Sequence, residues 1–179
     1  AQHLAKGDKL ELQTVSQFGN IDEPELALLT GLLAGDGTYS NNSARIDLWK
    51  GKTDYLLEEV IESINNVIQQ TTVEIGNRAG YVSNVYFTDG KVSIQSAALA
   101  RILETESIYR SNKLSIPDFV WKGNKSTVAN FLRGIFITDG TVTGSETITT
   151  ASLSSVDSKF LSDIQILLLN CGIRSSVTL

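Results

Sequence analysis

The chain has 179 residues, 41% of them hydrophobic and 20% charged, with a formal net charge of −5, which suits one large soluble domain or two small ones. A single cysteine, Cys171, and a single histidine, His3 in the terminal segment, exclude an internal disulfide, a multi-cysteine zinc site and imidazole-based transition-metal chemistry, and leave almost no route to a Ser-His-Asp or Cys-His set. No apolar run approaches the roughly 18–20 residues of a membrane span, the opening "AQHLAKGDKLEL" is not a signal peptide, and the acidic balance argues against indiscriminate nucleic-acid binding.

In chain order, "GDKLELQTV" has the alternation of a short strand. "IDEPELALLTGLLAGDG" then predicts a helix with Asp22 as N-cap, Pro24 in the first turn, and Leu26, Leu29, Leu32 and Leu33 at helical spacing. "TYSNNSARIDLW" predicts a hairpin turning at the Ser40–Ser43 cluster. Thr53 is expected to cap a second helix over 54–69, and "TTVEIGNRAGYVSNVYFTDGKVSIQS" reads as further strands. "AALARILETE" is a third helix, so the order to this point is αββαββα. After a connector containing Pro117, Ser126 is expected to cap "TVANFLRGIFITDG". A strand pair in "TVTGSETITTAS" follows, then a helix capped by Asp157 and ended by Gly172, and "IRSSVTL" opens a strand. The order restarts as αββαβ, an internal repeat.

Acidic side chains gather on the helical stretch with Asp54, Glu58, Glu59 and Glu62, whereas 40–53 carries Arg45, Lys50 and Lys52 against Asp47. The chain has no methionine, which fits either a trimmed product or a fragment from inside a longer reading frame. Cys171 reads as a small hydrophobe, and Trp49 and Trp121 as packing or interface residues.

Two helices end on an acidic residue before glycine, at "GLLAGDG" and "GIFITDG". A third Asp-Gly pair, at Asp89, is flanked by strand-like alternation and reads as a hairpin turn without chemistry. Asp36 and Asp139 instead follow helices that each carry a glycine five positions earlier, Gly31 and Gly134. A glycine inside a helix costs about 1 kcal/mol against alanine, so a close helix crossing at Gly31 and Gly134 is expected, with the two carboxylates converging beyond it. Converging carboxylates repel unless a cation neutralises them. Mg²⁺ suits such a pair and supports phosphodiester chemistry; a structural seam between two helices is the competing reading.

"LTGLLAGDG" (29–37) and "LRGIFITDG" (132–140) resemble the paired dodecapeptide motifs of LAGLIDADG homing endonucleases. "IPDFVW" before the second motif, "LSDIQILLLNCGIRSSV" after it, and "HLAKGDKLELQ" near the start resemble intein-encoded members. The resemblance implies an α+β fold, a monomer of two αββαββα halves related by a pseudo-twofold axis, with antiparallel sheets lying on double-stranded DNA. It divides the chain into a lead-in (1–20) that is similar to the end of a splicing half, a first half (21–110), a connector (111–125) and a shortened second half (126–179). It implies a Mg²⁺-dependent double-strand DNA endonuclease with a long asymmetric target, Mn²⁺ serving as a substitute, in the cytoplasm with access to genomic DNA.

Carried over residue by residue, Asp36 and Asp139 are the catalytic, metal-binding acids, with the neighbouring backbone at Gly35 and Thr138 facing the metals. Lys50 and Lys113 stand where the family often places a basic residue at each centre, and Lys52 is a weaker choice for the first. Arg45, Lys52, Arg78 and Lys91 are candidates for DNA contact. Each of these basic side chains reads equally as an exposed, solvated residue. The second half lacks its last strands and final helix, no splicing nucleophile opens the chain and no His-Asn closes it, so this piece is not expected to splice. Ile137 replaces an acidic residue frequent two positions before the second catalytic acid. The alternative reading is a catalytically degenerate LAGLIDADG module, maturase-like or regulatory, that binds nucleic acid without cutting.

Overall fold

A computed structural model describes residues 17–40, 43–71, 84–144 and 149–178. The expected opening strand, Arg78 and the hairpin turn at 41–42 lie outside them.

The first repeat runs α1 (Pro24–Ala34), β1 (Gly37–Ser40), β2 (Ser43–Trp49), a 3-10 turn at Asp54–Leu56, α2 (Leu57–Gln70), β3 (Asn84–Phe87), β4 (Lys91–Ser96) and α3 (Ala97–Thr105). After a second 3-10 turn (Arg110–Asn112) and the one-turn helix α4 (Asp118–Trp121), the second repeat runs α5 (Lys125–Thr138), β5 (Gly140–Gly144), β6 (Thr149–Leu153) and α6 (Ser158–Asn170). The expected αββαββα and αββα orders are both present. The expected strand at the C-terminal side is not: residues 173–178 have no strand partner among the described residues. They are held instead by Ile173 N–H on the Leu168 carbonyl and by Gln165 Nε2 on the Ser175 carbonyl.

α1 is apolar on every side, and Leu26, Leu28, Leu29, Leu32 and Leu33 are all buried. Such a helix belongs in the centre of a molecule rather than on its surface. α2 is amphipathic, burying Val60, Ile64, Val67 and Ile68 while Glu58 and Glu62 face solvent. The first sheet is antiparallel in the order β1-β2-β4-β3. Its alternation sends Ala44, Ile46 and Leu48 into the core beside Ile94, and puts Arg45, Asp47 and Trp49 on the other face. The second sheet is the β5-β6 hairpin, exposed along most of both strands.

Three helix starts differ from expectation, the first for a tertiary reason and the other two through local bonds. Glu23, not Asp22, occupies the cap position of α1 and makes no side-chain cap bond; its N–H donates to Thr127 Oγ1 at 2.9 Å. Asp22 accepts from Asn124 Nδ2 at 2.8 Å. Asn124, not Ser126, caps α5 by accepting from Thr127 N–H at 2.9 Å. Thr127 Oγ1 in turn donates to the Ile21 carbonyl at 2.9 Å, so Thr127 ties the beginnings of the two motif helices together. Thr53 stands at the cap position ahead of α2, but its hydroxyl accepts from Trp49 N–H at 2.7 Å. Asp157 caps α6 as expected, accepting from Phe160 N–H, and Gly172 ends it with a φ of +78°.

Candidate active site

The site begins where α1 crosses α5. A Cβ added to Gly134 would lie 2.7 Å from both the Leu28 carbonyl oxygen and the Leu32 nitrogen. One added to Gly31 would lie 3.1 Å from Gly134 Cα and would collide with the Phe131 carbonyl. All of these neighbours are backbone atoms, so the two helices touch main chain to main chain. This is the contact the two in-helix glycines predict.

Beyond the crossing the helix ends stay together. The space a Gly35 side chain would take is filled by the Thr138 side chain, and lies 3.3 Å from the carboxyl carbon of Asp139. Thr138 Oγ1 donates back to the Gly134 and Ile135 carbonyls, 3.0 Å from each. Asp36, the next residue after Gly35, is half-buried. Asp36 and Asp139 therefore sit on adjoining helix C-termini, where a carboxylate opposes the helix dipole. Desolvation, and then the negative charge of Asp36, hold the Asp139 carboxyl above its ordinary range against the opposing pull of Lys113.

Lys113 reaches in from the connector. Its Nζ donates to the Gly35 carbonyl at 3.3 Å and the Gly37 carbonyl at 3.1 Å, bracketing Asp36 along the chain. Lys50 is exposed just after β2, and no hydrogen bond or ion pair joins it to either acid. Lys52 is likewise exposed. Trp49 is the residue that sequence reasoning missed. Taken there for a packing or interface residue, it is 42% exposed, and its indole Nε1–H donates to Asp36 Oδ2 at 2.9 Å. The thirteen-residue separation hides this bond, which depends on β2 returning alongside β1. Trp121 and Cys171 are partly buried against the core, as expected.

On the outer face of the first sheet, two expected DNA-contact residues are already engaged. Lys91 Nζ lies 2.7 Å from Asp47 Oδ2 and 5.3 Å from the centre of the Trp49 ring. Arg45 Nε lies 3.4 Å from Asp47 Oδ1 without hydrogen-bond geometry. Burial pushes the Asp47 carboxyl up, but its bonds to Lys91 and Ser93 and the charges of Arg45 and Lys91 outweigh that and hold it below its ordinary value. Asp89 lies in the two-residue turn between β3 and β4, closed by Thr88 N–H on the Lys91 carbonyl.

Among the described residues, no cluster of three or more His, Cys, Asp or Glu side chains occurs. The donor set at the helix ends is two carboxylates with backbone carbonyls beside them. That is hard-oxygen chemistry, and it fits a Mg²⁺-like cation that keeps several waters.

The family model for a LAGLIDADG-like domain matches residues 126–178, the repeat that holds Gly134 and Asp139. Residues 126–178 thus form a LAGLIDADG-like domain. The chain's α+β architecture with antiparallel sheets is that of the LAGLIDADG fold. The chain is 32% identical over 183 aligned residues to the ribonucleoside-diphosphate reductase NrdEB subunit alpha of Bacillus subtilis, covering 97% of this chain and 17% of that protein. The same figures hold for the corresponding subunit of Bacillus phage SPbeta. A DNA polymerase of Thermococcus litoralis is 28% identical over 152 residues, 83% of this chain and 8% of the polymerase. The chain thus spans less than a fifth of the length of these curated relatives. Among the described residues, no helix is long and apolar enough to cross a membrane.

Proposed function

We propose that this LAGLIDADG chain is the nuclease part of an intein, a homing endonuclease that hydrolyses both strands of a long, asymmetric DNA site with Mg²⁺. The observation that carries the reading is the pairing of Asp36 and Asp139 at the ends of two helices in main-chain contact. Two acids placed against their helix dipoles lower stability, and a shared cation would offset that cost. The relatives support the same reading from another side. A reductase subunit and a DNA polymerase have no chemistry in common, yet both contain a stretch similar to this chain. A module found in such unlike hosts serves neither host's reaction, which is the behaviour of a mobile insert.

In the proposed mechanism Asp36 and Asp139 would hold the cation, with the neighbouring backbone at Gly35 and Thr138 facing it. Bound there, Mg²⁺ supplies Lewis-acid stabilisation of charge on the phosphodiester. Trp49 keeps the Asp36 carboxylate in place through its indole N–H. Lys113, fixed on the Gly35 and Gly37 carbonyls, adds positive charge beside the reacting phosphate. The outer face of the first sheet, with Arg45 and Lys91, lies against the duplex, and Lys52 extends the contact; Arg78 is a further candidate for DNA binding. Lys50 serves the first centre only if DNA binding draws it inward.

The test joins the two host-coding segments that flank the parent reading frame and asks whether Mg²⁺, or Mn²⁺, drives cutting at that junction. Asp36→Asn and Asp139→Asn are run beside the wild type, and each is expected to abolish double-strand cutting. Wild-type protein that binds the junction and never cuts it would overturn the catalytic reading in favour of a degenerate binding module.

A further inference from the structure

Asp47 is an anomaly on the face offered to DNA. It is 6% exposed, and both carboxylate oxygens are engaged. Ser93 Oγ donates to Oδ1, which Arg45 also approaches, and Lys91 donates to Oδ2. The register explains the convergence: Asp47 pairs with Ser93 across β2 and β4, Arg45 lies two residues along the same strand, and Lys91 lies two residues from Ser93. A single carboxylate thus occupies both of the cations that this face presents within the described strands β2 and β4.

The corresponding position of the second repeat holds no acid. Gly37 pairs with Ile46 in the first repeat and Gly140 with Leu153 in the second. By that register the position after Ile46 corresponds to the position after Leu153, which is Ser154.

We propose that Asp47 is a specificity-determining residue, which restrains Arg45 and Lys91 and so suppresses sequence-independent attraction to phosphate. This rests on the DNA-cutting reading above. Attraction to the DNA backbone supplies nearly all non-specific binding, and it scales with the number of free cations. A face whose cations are already paired gains little from an arbitrary duplex. A target whose groups replace Asp47 as partner to Arg45 or Lys91 gains the contact without leaving a charge unpaired. The arrangement also fits a DNA-directed chain with a net charge of −5.

The test measures binding of the full parent chain to a random-sequence duplex and to the host junction across a salt series, without Mg²⁺. Asp47→Asn keeps the side-chain shape, and Asp47→Ser copies the second repeat; folding of both is checked by circular dichroism and thermal unfolding. Each freed cation steepens the slope of log affinity against log salt by about 0.9, so freeing both makes the variant's advantage on random duplex shrink roughly tenfold between 50 and 200 mM salt. The ratio of junction to random affinity falls accordingly. Adding Arg45→Gln and Lys91→Gln to Asp47→Asn removes the gain. Folded Asp47 variants with an unchanged slope, beside a wild type that binds and cuts the junction, overturn this inference alone. If neither variant folds, Asp47 is a structural staple and the inference is overturned as well. A wild type and variants that bind no duplex at any salt sink both this inference and the function it rests on.

Discussion

Replacing Gly134 by alanine tests the helix crossing on which the whole site depends. The added Cβ falls 2.7 Å from two backbone atoms of α1, about 0.7 Å inside ordinary van der Waals contact. No side chain can swing aside, so the helices must part. Over-packing of this kind costs about 1–3 kcal/mol, and a gap of 0.5–1 Å along the seam forfeits roughly a quarter to a half of each dispersion contact among Leu28, Leu32, Phe131 and Ile135. Alanine's better helix propensity returns about 1 kcal/mol. With the lost dispersion placing the cost in the upper part of that range, about 2–3 kcal/mol, the net expectation is a loss of about 1–2 kcal/mol, larger for Gly31→Ala, whose Cβ meets the Phe131 carbonyl. Urea unfolding reads this as a lower midpoint at unchanged slope. Gly90→Ala is the control, since a Cβ there meets nothing within 4 Å, and its effect is expected within about 0.5 kcal/mol. Cutting by Gly134→Ala is expected to fall about tenfold or more, because the acids lie just past the seam. A Gly134→Ala protein as stable as wild type would refute the main-chain contact.

Trp49→Phe keeps an aromatic ring beneath Lys91 and removes the N–H that holds Asp36; the Mg²⁺ concentration for half-maximal cutting is expected to rise about tenfold or more, with little change in the thermal midpoint, and an unchanged Mg²⁺ dependence would count against a positioning role. Asp139 binds its proton more tightly folded than unfolded, so it subtracts stability as pH rises from the ordinary aspartate value through its own raised one. Metal-free Asp139→Asn should therefore unfold at higher urea than wild type at neutral pH, with the difference vanishing below the unfolded value; a variant that is less stable at neutral pH contradicts this. Asn124→Ala removes the cap of α5 and a partner of Asp22 and is expected to cost about 1–2 kcal/mol, whereas exposed Ser126→Ala leaves the unfolding midpoint near wild type.

The contrast between the three Asp-Gly pairs was legible in the chain because it is local. Alternation on both sides marks Asp89 as a turn, and helical spacing with a glycine five residues earlier marks Asp36 and Asp139. The start of α1 was misread because its partners are distant: Glu23 N–H goes to Thr127, more than a hundred residues away, and Asp22 pairs with Asn124. The same limit hid Trp49 from Asp36 and Asp47 from Lys91. Each contact depends on which strands pair and in what register, and amino-acid spacing along one strand does not carry that information.

The α1–α5 crossing also acts as a fulcrum. Each acid lies five residues past its glycine, a lever of about 7.5 Å at helical rise. A 10° change in crossing angle moves such a point by only about 1.3 Å, while the far end of α5, nine residues the other way, moves by about 2.4 Å. Any rocking about the crossing therefore displaces the carboxylates only about half as far as the outer end of α5.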